Sequence, residues 1–190
     1  MSKDRKQIIL QSLAKLLEER DATKVTTASL AKESGITEAA LYRHFPSKRS
    51  IFLELFTFCD ETIFHKVGEI KKEASIEPDE KIRLIFFFFI IFLEKNKGFA
   101  RILSREALGP NEKNVIDAVN QFYERLELSM KQILASQRER IRSTPGISSH
   151  LITSTMEGII SRFIRNGFKE MPSGYIENYW SLLSRSLFKN

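Results

Sequence analysis

Ten consecutive apolar residues, Leu84 to Leu93 (LIFFFFIIFL), constrain the fold more than any other feature of the chain. As a helix they rise roughly 15 Å, half of the roughly 30 Å of hydrocarbon in a bilayer. Lys81, Arg83, Glu94 and Lys95 close both ends, so the run does not span a membrane. A helix that is apolar on every side is one wrapped by others. Ile82 to Leu93 therefore reads as the central helix of an all-α bundle. The competing reading, a buried strand, lacks neighbouring strand candidates with which to pair.

Composition enters in support. Only 8 Gly and 5 Pro in 190 residues leave little material for the turns of a many-stranded β fold, and 42% apolar with 28% charged residues is ordinary globular usage. The length suits one core with at most a small appended module. A lone Cys59 cannot form an internal disulfide, and Met1 to Lys6 is too charged to open a signal peptide. The expected location is the cytoplasm.

Helical spacing recurs along the chain. Ile9, Leu10, Leu13, Leu16 and Leu17 put one stripe on a first helix, Asp4 to Arg20. Thr27 is the expected cap of a short helix through Ser34, with Leu30 and Ala31 inward, and Gly35 supplies the positive φ of a tight stop. Thr37 caps a third helix carrying Leu41 and Phe45; Pro46 ends it, and Ser47 caps a long fourth helix. Pro78 starts the fifth. Further helices are expected at Phe99–Leu108, from Asn111 to about Arg142, from a Ser148 cap through Phe168, and at Tyr175–Phe188, with a loop at Thr144, Pro145 and Gly146. That makes about nine helices and no convincing strand.

Charge is uneven. Residues 1 to 50 carry 10 Lys/Arg against 6 Asp/Glu, whereas residues 51 to 190 carry 20 against 18. A basic head on a nearly neutral body fits a polyanion partner. Within that head, Thr26 to Lys48 has the dimensions of a helix-turn-helix, whose second helix can enter a major groove about 12 Å wide. Leu41, with Ile36 and Phe45, faces its core, leaving Glu38, Ala39, Ala40, Tyr42, Arg43 and His44 outward. Alanines permit close approach to base edges and can contact a thymine methyl, while Tyr42, His44 and the Thr27 hydroxyl suit phosphate oxygens. Lys48 and Thr37, each at a helix start, can hold a phosphate together with backbone amides. Glu38 can accept from a cytosine amino group or simply complement the helix dipole. On spacing alone, a packed N-terminal cap without DNA remains the alternative.

The stretch T-A-S-L-A-K-E-S-G-I-T-E-A-A-L-Y-R-H-F-P-S-K, residues 27 to 48, resembles the DNA-binding head of the TetR family. The resemblance implies an all-α, TetR-like fold: a three-helix DNA-binding head, 1–47, on a helical dimerisation and partner-binding body, 48–190. It also implies a homodimer on palindromic DNA, with two heads reaching major grooves about 34 Å apart or a multiple. L-Y-R-H-F-P-S-K, R-I-L at Arg101 to Leu103 with Ala107 and Leu108, Q-F-Y-E-R-L-E at Gln121 to Glu127, and E-G-I-I-S-R-F-I-R-N-G-F-K at Glu157 to Lys169 are similar, within that family, to the SlmA group of nucleoid occlusion factors.

Membership of that group implies one or several dimers on each chromosomal site, and capture of the C-terminal tail of the division protein FtsZ in a groove between the fourth and fifth helices. By position, Phe58 and Lys66 supply one wall, and Phe88, Ile91, Lys95 and Asn96 the other. Lysine stands at 66 and 95 where arginine is expected, which loses the planar fork. An acidic, apolar peptide would suit such a trough, although helical spacing of Phe58, Phe88 and Ile91 also fits core packing.

For dimerisation, Ile152, Met156, Ile159, Ile160, Phe163 and Ile164 form one apolar face, and Tyr179, Trp180, Leu182, Leu183 and Leu187 another. Two such helices can pair with their twins into a four-helix interface.

Catalysis has little support. His44, His65 and His150 are in no metal-ligand spacing, Cys59 has no nearby base, and no phosphate-cradling glycine loop is present. No cofactor is expected. Beside the FtsZ-directed reading stand a ligand-responsive repressor with a drug-sized pocket in its body and a purely architectural DNA binder. Phenylalanines packed at 86 to 89 would fill such a pocket and favour the first.

Overall fold

A computed structural model describes residues 2–19, 25–109 and 112–189. The expected end of the first helix at Arg20, and Pro110 and Asn111, lie outside the described residues. Among those described there are nine α-helices: α1 (Ser2–Glu18), α2 (Thr27–Glu33), α3 (Glu38–His44), α4 (Lys48–Lys72), α5 (Pro78–Lys95), α6 (Lys97–Leu103), α7 (Lys113–Ala135), α8 (Pro145–Arg165) and α9 (Ile176–Leu187). The chain is all-α, and the one β-bridge among the described residues joins Ile141 to Phe188. No helix among the described residues is long and apolar enough to cross a membrane.

The helices form two compact units, residues 1–61 with 96–119, and residues 62–95 with 120–190. In the first, the α1 stripe buries Ile9, Leu13 and Leu17. The helix α6 lies so close that a Cβ on Gly98 would stand 2.5 Å from the Ala14 carbonyl oxygen. The expected start at Phe99 is therefore too late: α6 begins at Lys97, with Gly98 inside it as the residue that admits the approach. It also ends earlier than Leu108, because Arg105 turns left-handed at φ 62°.

In the second unit, Ile82, Ile85, Phe86, Phe89, Ile90 and Leu93 of α5 have no exposed surface. Phe89 meets Phe122 of α7 at 6.0 Å between ring centroids, and Phe86 meets Trp180 of α9 at 5.5 Å. The central-helix reading holds for this side, whereas Phe87, Phe88, Ile91 and Phe92 are half-buried. Burying Phe86 or Phe89 completely is worth about 2–3 kcal/mol of apolar transfer each.

Two further helix ends, on α8 and α7, differ from expectation. The helix α8 starts at Pro145, not after Ser148: Thr144 is extended, and its hydroxyl accepts the Ile147 N–H at 3.2 Å. Pro suits the first helical position because the N–H it lacks would have no partner there. Ser148 is instead buried. The helix α7 stops at Ala135 rather than near Arg142, because the following residues turn and pair with the C-terminal segment. There the Arg142 N–H donates to the Leu187 carbonyl and the Lys189 N–H to that of Arg140, both at 2.8 Å. At the other end of α8, Gly167 and Phe168 both take positive φ, and the Phe168 N–H returns to the Phe163 carbonyl at 2.9 Å. That is the closing pattern of a Schellman cap.

Candidate nucleic-acid interface

The head is set by local hydrogen bonds. Thr26, one residue before the expected Thr27, caps α2: its hydroxyl accepts the Ser29 N–H at 3.1 Å, and Ser29 Oγ accepts the Thr26 N–H at 3.0 Å. This reciprocal pair satisfies two amides that the helix start leaves over. Gly35, at φ +65°, turns the chain, and the Ile36 N–H returns to the Ala31 carbonyl at 3.0 Å. Thr37 Oγ1 then accepts the Ala40 N–H at 3.2 Å and caps α3.

From that cap, α3 directs Leu41 inward at 0% exposure, followed by Phe45 at 1%. Glu38, Ala39, Tyr42 and Arg43 face solvent, and Ala40 and His44 are half-buried. The helix thus presents small residues flanked by an aromatic hydroxyl and a cation. Thr27 does not stand apart from it, since its hydroxyl donates to Glu38 Oε2 at 2.8 Å. This contact gives Glu38 a partner that the sequence did not reveal. Ser47 and Ser50 cap the start of α4 reciprocally, at 3.1 and 3.2 Å. Lys48 lies in that first turn, its ammonium 5.2 Å over the Phe52 ring and 3.5 Å from Glu112 Oε1. Glu112, 64 positions away in sequence, is the neighbour of Lys48 that sequence reasoning missed; neither spacing nor composition signals it.

The other candidates separate by unit. In the first unit, Phe58 is 65% exposed, and with Asn96, Leu10, Ala14 and Leu55 it lines a cavity of about 450 Å³ beside α1. Cys59 lies on the same wall, its thiol pushed up to about 12 by burial, which leaves no thiolate to act as a nucleophile. In the second unit, a trough of about 770 Å³ has Ile70, Ile76, Leu84, Phe87 and Phe88 as its apolar lining and Lys66 among its charged residues. Lys66 pairs with Glu69 at 3.0 Å. On α5, Ile91 is half-buried and Lys95 exposed.

The expected dimer residues divide by exposure, with Tyr179 37% exposed. Met156, Ile159, Ile160, Phe163, Trp180 and Leu183 are all buried within the protomer, Met156 and Phe163 completely. Met156 and Phe163, with no exposed surface, pack within the protomer's own core. The apolar side chains that α8 and α9 do expose are Ile147, Leu151, Tyr179 and Leu182. The α8 stripe is the inward face of its helix, whereas the α9 stripe joins the inward Trp180, Leu183 and Leu187 to the outward Tyr179 and Leu182.

A bacterial regulatory protein, tetR family, domain matches residues 9–55, and a tetracyclin repressor-like C-terminal domain of the SlmA-like type matches residues 79–188. The chain belongs to the TetR family. It is thus a helix-turn-helix, DNA-binding type of regulator and not an enzyme. It is similar to the nucleoid occlusion factor SlmA of Vibrio cholerae, 37% identical with 97% of this chain and 96% of the relative covered. The SlmA of Marinobacter nauticus is 35% identical at the same coverage. Solved structures share the fold. The Pseudomonas aeruginosa repressor NalD has a TM-score of 0.77 at 18% identity, covering 100% of this chain and 98% of its own. A TetR regulator from Haloarcula marismortui has 0.79 at 14%, covering 98% and 100%.

Proposed function

We propose that this chain is a sequence-specific nucleoid occlusion factor: bound as a homodimer to palindromic chromosomal sites, it captures the C-terminal tail of FtsZ and antagonises ring assembly over the nucleoid. The observation that carries the reading is similarity to nucleoid occlusion factors over nearly the whole chain, body included, at 35–37% identity. A shared head alone would support only DNA binding. Such a protein works in the cytoplasm, on the nucleoid.

In this reading α3 enters the major groove. Ala39 and Ala40 approach base edges, Arg43 and Glu38 present charge to them, and Thr27, Thr37, Tyr42, His44 and Lys48 hold phosphates on either side. The exposed Leu151, Tyr179 and Leu182 supply the dimer contact that pairs two heads. For the tail, the first unit offers Phe58 and Asn96, and the second offers Lys66, Phe88, Ile91 and Lys95. The mechanism is binding throughout, with no bond made or broken.

The test titrates the purified protein against a fluorescent FtsZ tail peptide, with and without a palindromic duplex selected from random sequence. Peptide binding strengthened by the duplex supports the reading. Duplex binding with no peptide binding leaves a plain repressor or an architectural protein. Phe58→Asp is expected to retain duplex affinity and lose inhibition of FtsZ polymers in sedimentation; unchanged inhibition would move the tail elsewhere.

A further inference from the structure

The lysine assigned to a phosphate already has an anion. Lys48 Nζ is 3.5 Å from Glu112 Oε1, and the two side chains differ sharply in exposure, 31% for the lysine and 7% for the glutamate. The second carboxylate oxygen accepts the Gly109 N–H at 2.9 Å. A Cβ on Gly109 would stand only 3.1 Å from that oxygen, so Gly109 lies close against the carboxylate. One partner is pinned and desolvated; the other is a cation one-third exposed in the first turn of α4.

That asymmetry sets the direction of the effect. A buried carboxylate stripped of its counter-charge is strongly disfavoured, whereas a lysine one-third exposed can be solvated by water. A DNA phosphate reaching the start of α4 would be a second anion seeking the same ammonium. If the two share it they repel across a few ångströms. If the phosphate takes it over, Glu112 is left buried without its cation. Either way the carboxylate opposes phosphate binding at Lys48.

We propose that Glu112 is an affinity-setting residue for DNA: a resident anion that holds Lys48 and with which a backbone phosphate must compete. Through this single ion pair, the strength of the DNA grip is tied to the turn between α6 and α7. The proposal rests on the reading of Lys48 as a phosphate contact, and its test keeps the two apart.

The measurement is fluorescence anisotropy of the full chain, over a range of salt, with a selected palindromic duplex and a shuffled duplex of equal length. Glu112→Gln keeps an acceptor for the Gly109 N–H and removes the charge. It is expected to tighten both duplexes by about fivefold, the scale of a partly exposed ion pair, with a salt slope no shallower than that of the parent. Glu106→Gln, an exposed carboxylate on the same turn, controls for net charge and should change little. In a Lys48→Met background the gain from Glu112→Gln should vanish. Parent-like or weaker binding by a folded Glu112→Gln, or a gain that survives without Lys48, overturns the proposal. If Glu112→Gln does not fold, Glu112→Asp, one methylene shorter, should give a smaller tightening; its absence also overturns the proposal. Should Lys48→Met bind both duplexes like the parent, the phosphate assignment fails at its source; should it weaken both while Glu112→Gln stays flat, only the competition fails.

Discussion

The helices α3 and α8 are both capped by a threonine with an extended backbone and an amide three residues on, yet they serve opposite ends. In seven residues α3 buries only Leu41, whereas α8 in twenty-one buries nine, from Ser148 to Ile164. Being short and nearly all surface, α3 contributes little to stability and owes its position to the turn at Gly35 and the anchors Leu41 and Phe45. The helix α8 is held by what it packs against, and only its outer positions remain for a partner. A recognition element should therefore tolerate substitution for folding and not for binding, and the body helices the reverse.

The sharpest way to break that contrast is Phe89→Ala. Phe89 has no exposed surface and stacks near Phe122, so its truncation should cost about 3–5 kcal/mol in a denaturant titration. A loss below about 1 kcal/mol would mean that the second unit is not organised around α5. Next comes Ala40→Glu, expected to lower affinity for a selected duplex by about a hundredfold through lost groove contact and repulsion, while the denaturation midpoint stays near that of the parent. Lys48→Met should weaken selected and shuffled duplexes alike and reduce the salt slope by about one; a loss confined to the selected sequence would make Lys48 a base contact. Smallest is Thr144→Ala, about 1 kcal/mol of stability through the lost cap on α8, with duplex binding unaffected.

Much of the head was legible because its determinants are local. Thr37, Gly35, Pro46 and Ser47 mark boundaries through their own backbone preferences and hydrogen bonds within a few residues, and α3 begins and ends where they place it. The errors fall where distant chain intervenes. Ser148 looked like a cap but is buried, because Thr144 and Pro145 start the helix a turn earlier. The apolar pattern of α7 gave no warning that Ile141 would pair with Phe188. In α6, Gly98 looked like a break and is instead a point of close contact with Ala14. The candidate dimer residues show a related limit: periodicity reports that a face is apolar, but whether that face meets its own core or a second copy depends on which neighbour reaches it first.

The amino-acid order alone determined that this protein is helical, that its apolar decamer lies in a bundle rather than a bilayer, and that a short capped helix follows a glycine turn. Those outcomes follow from spacing, length and local hydrogen bonds, which need no knowledge of the rest of the chain. Tertiary structure alone decided that Met156 and Phe163 are interior, that Thr27 meets Glu38, and that Lys48 carries Glu112 beside it. Each of these depends on side chains brought together from distant positions, where burial removes water and forces charges and apolar surfaces to find partners.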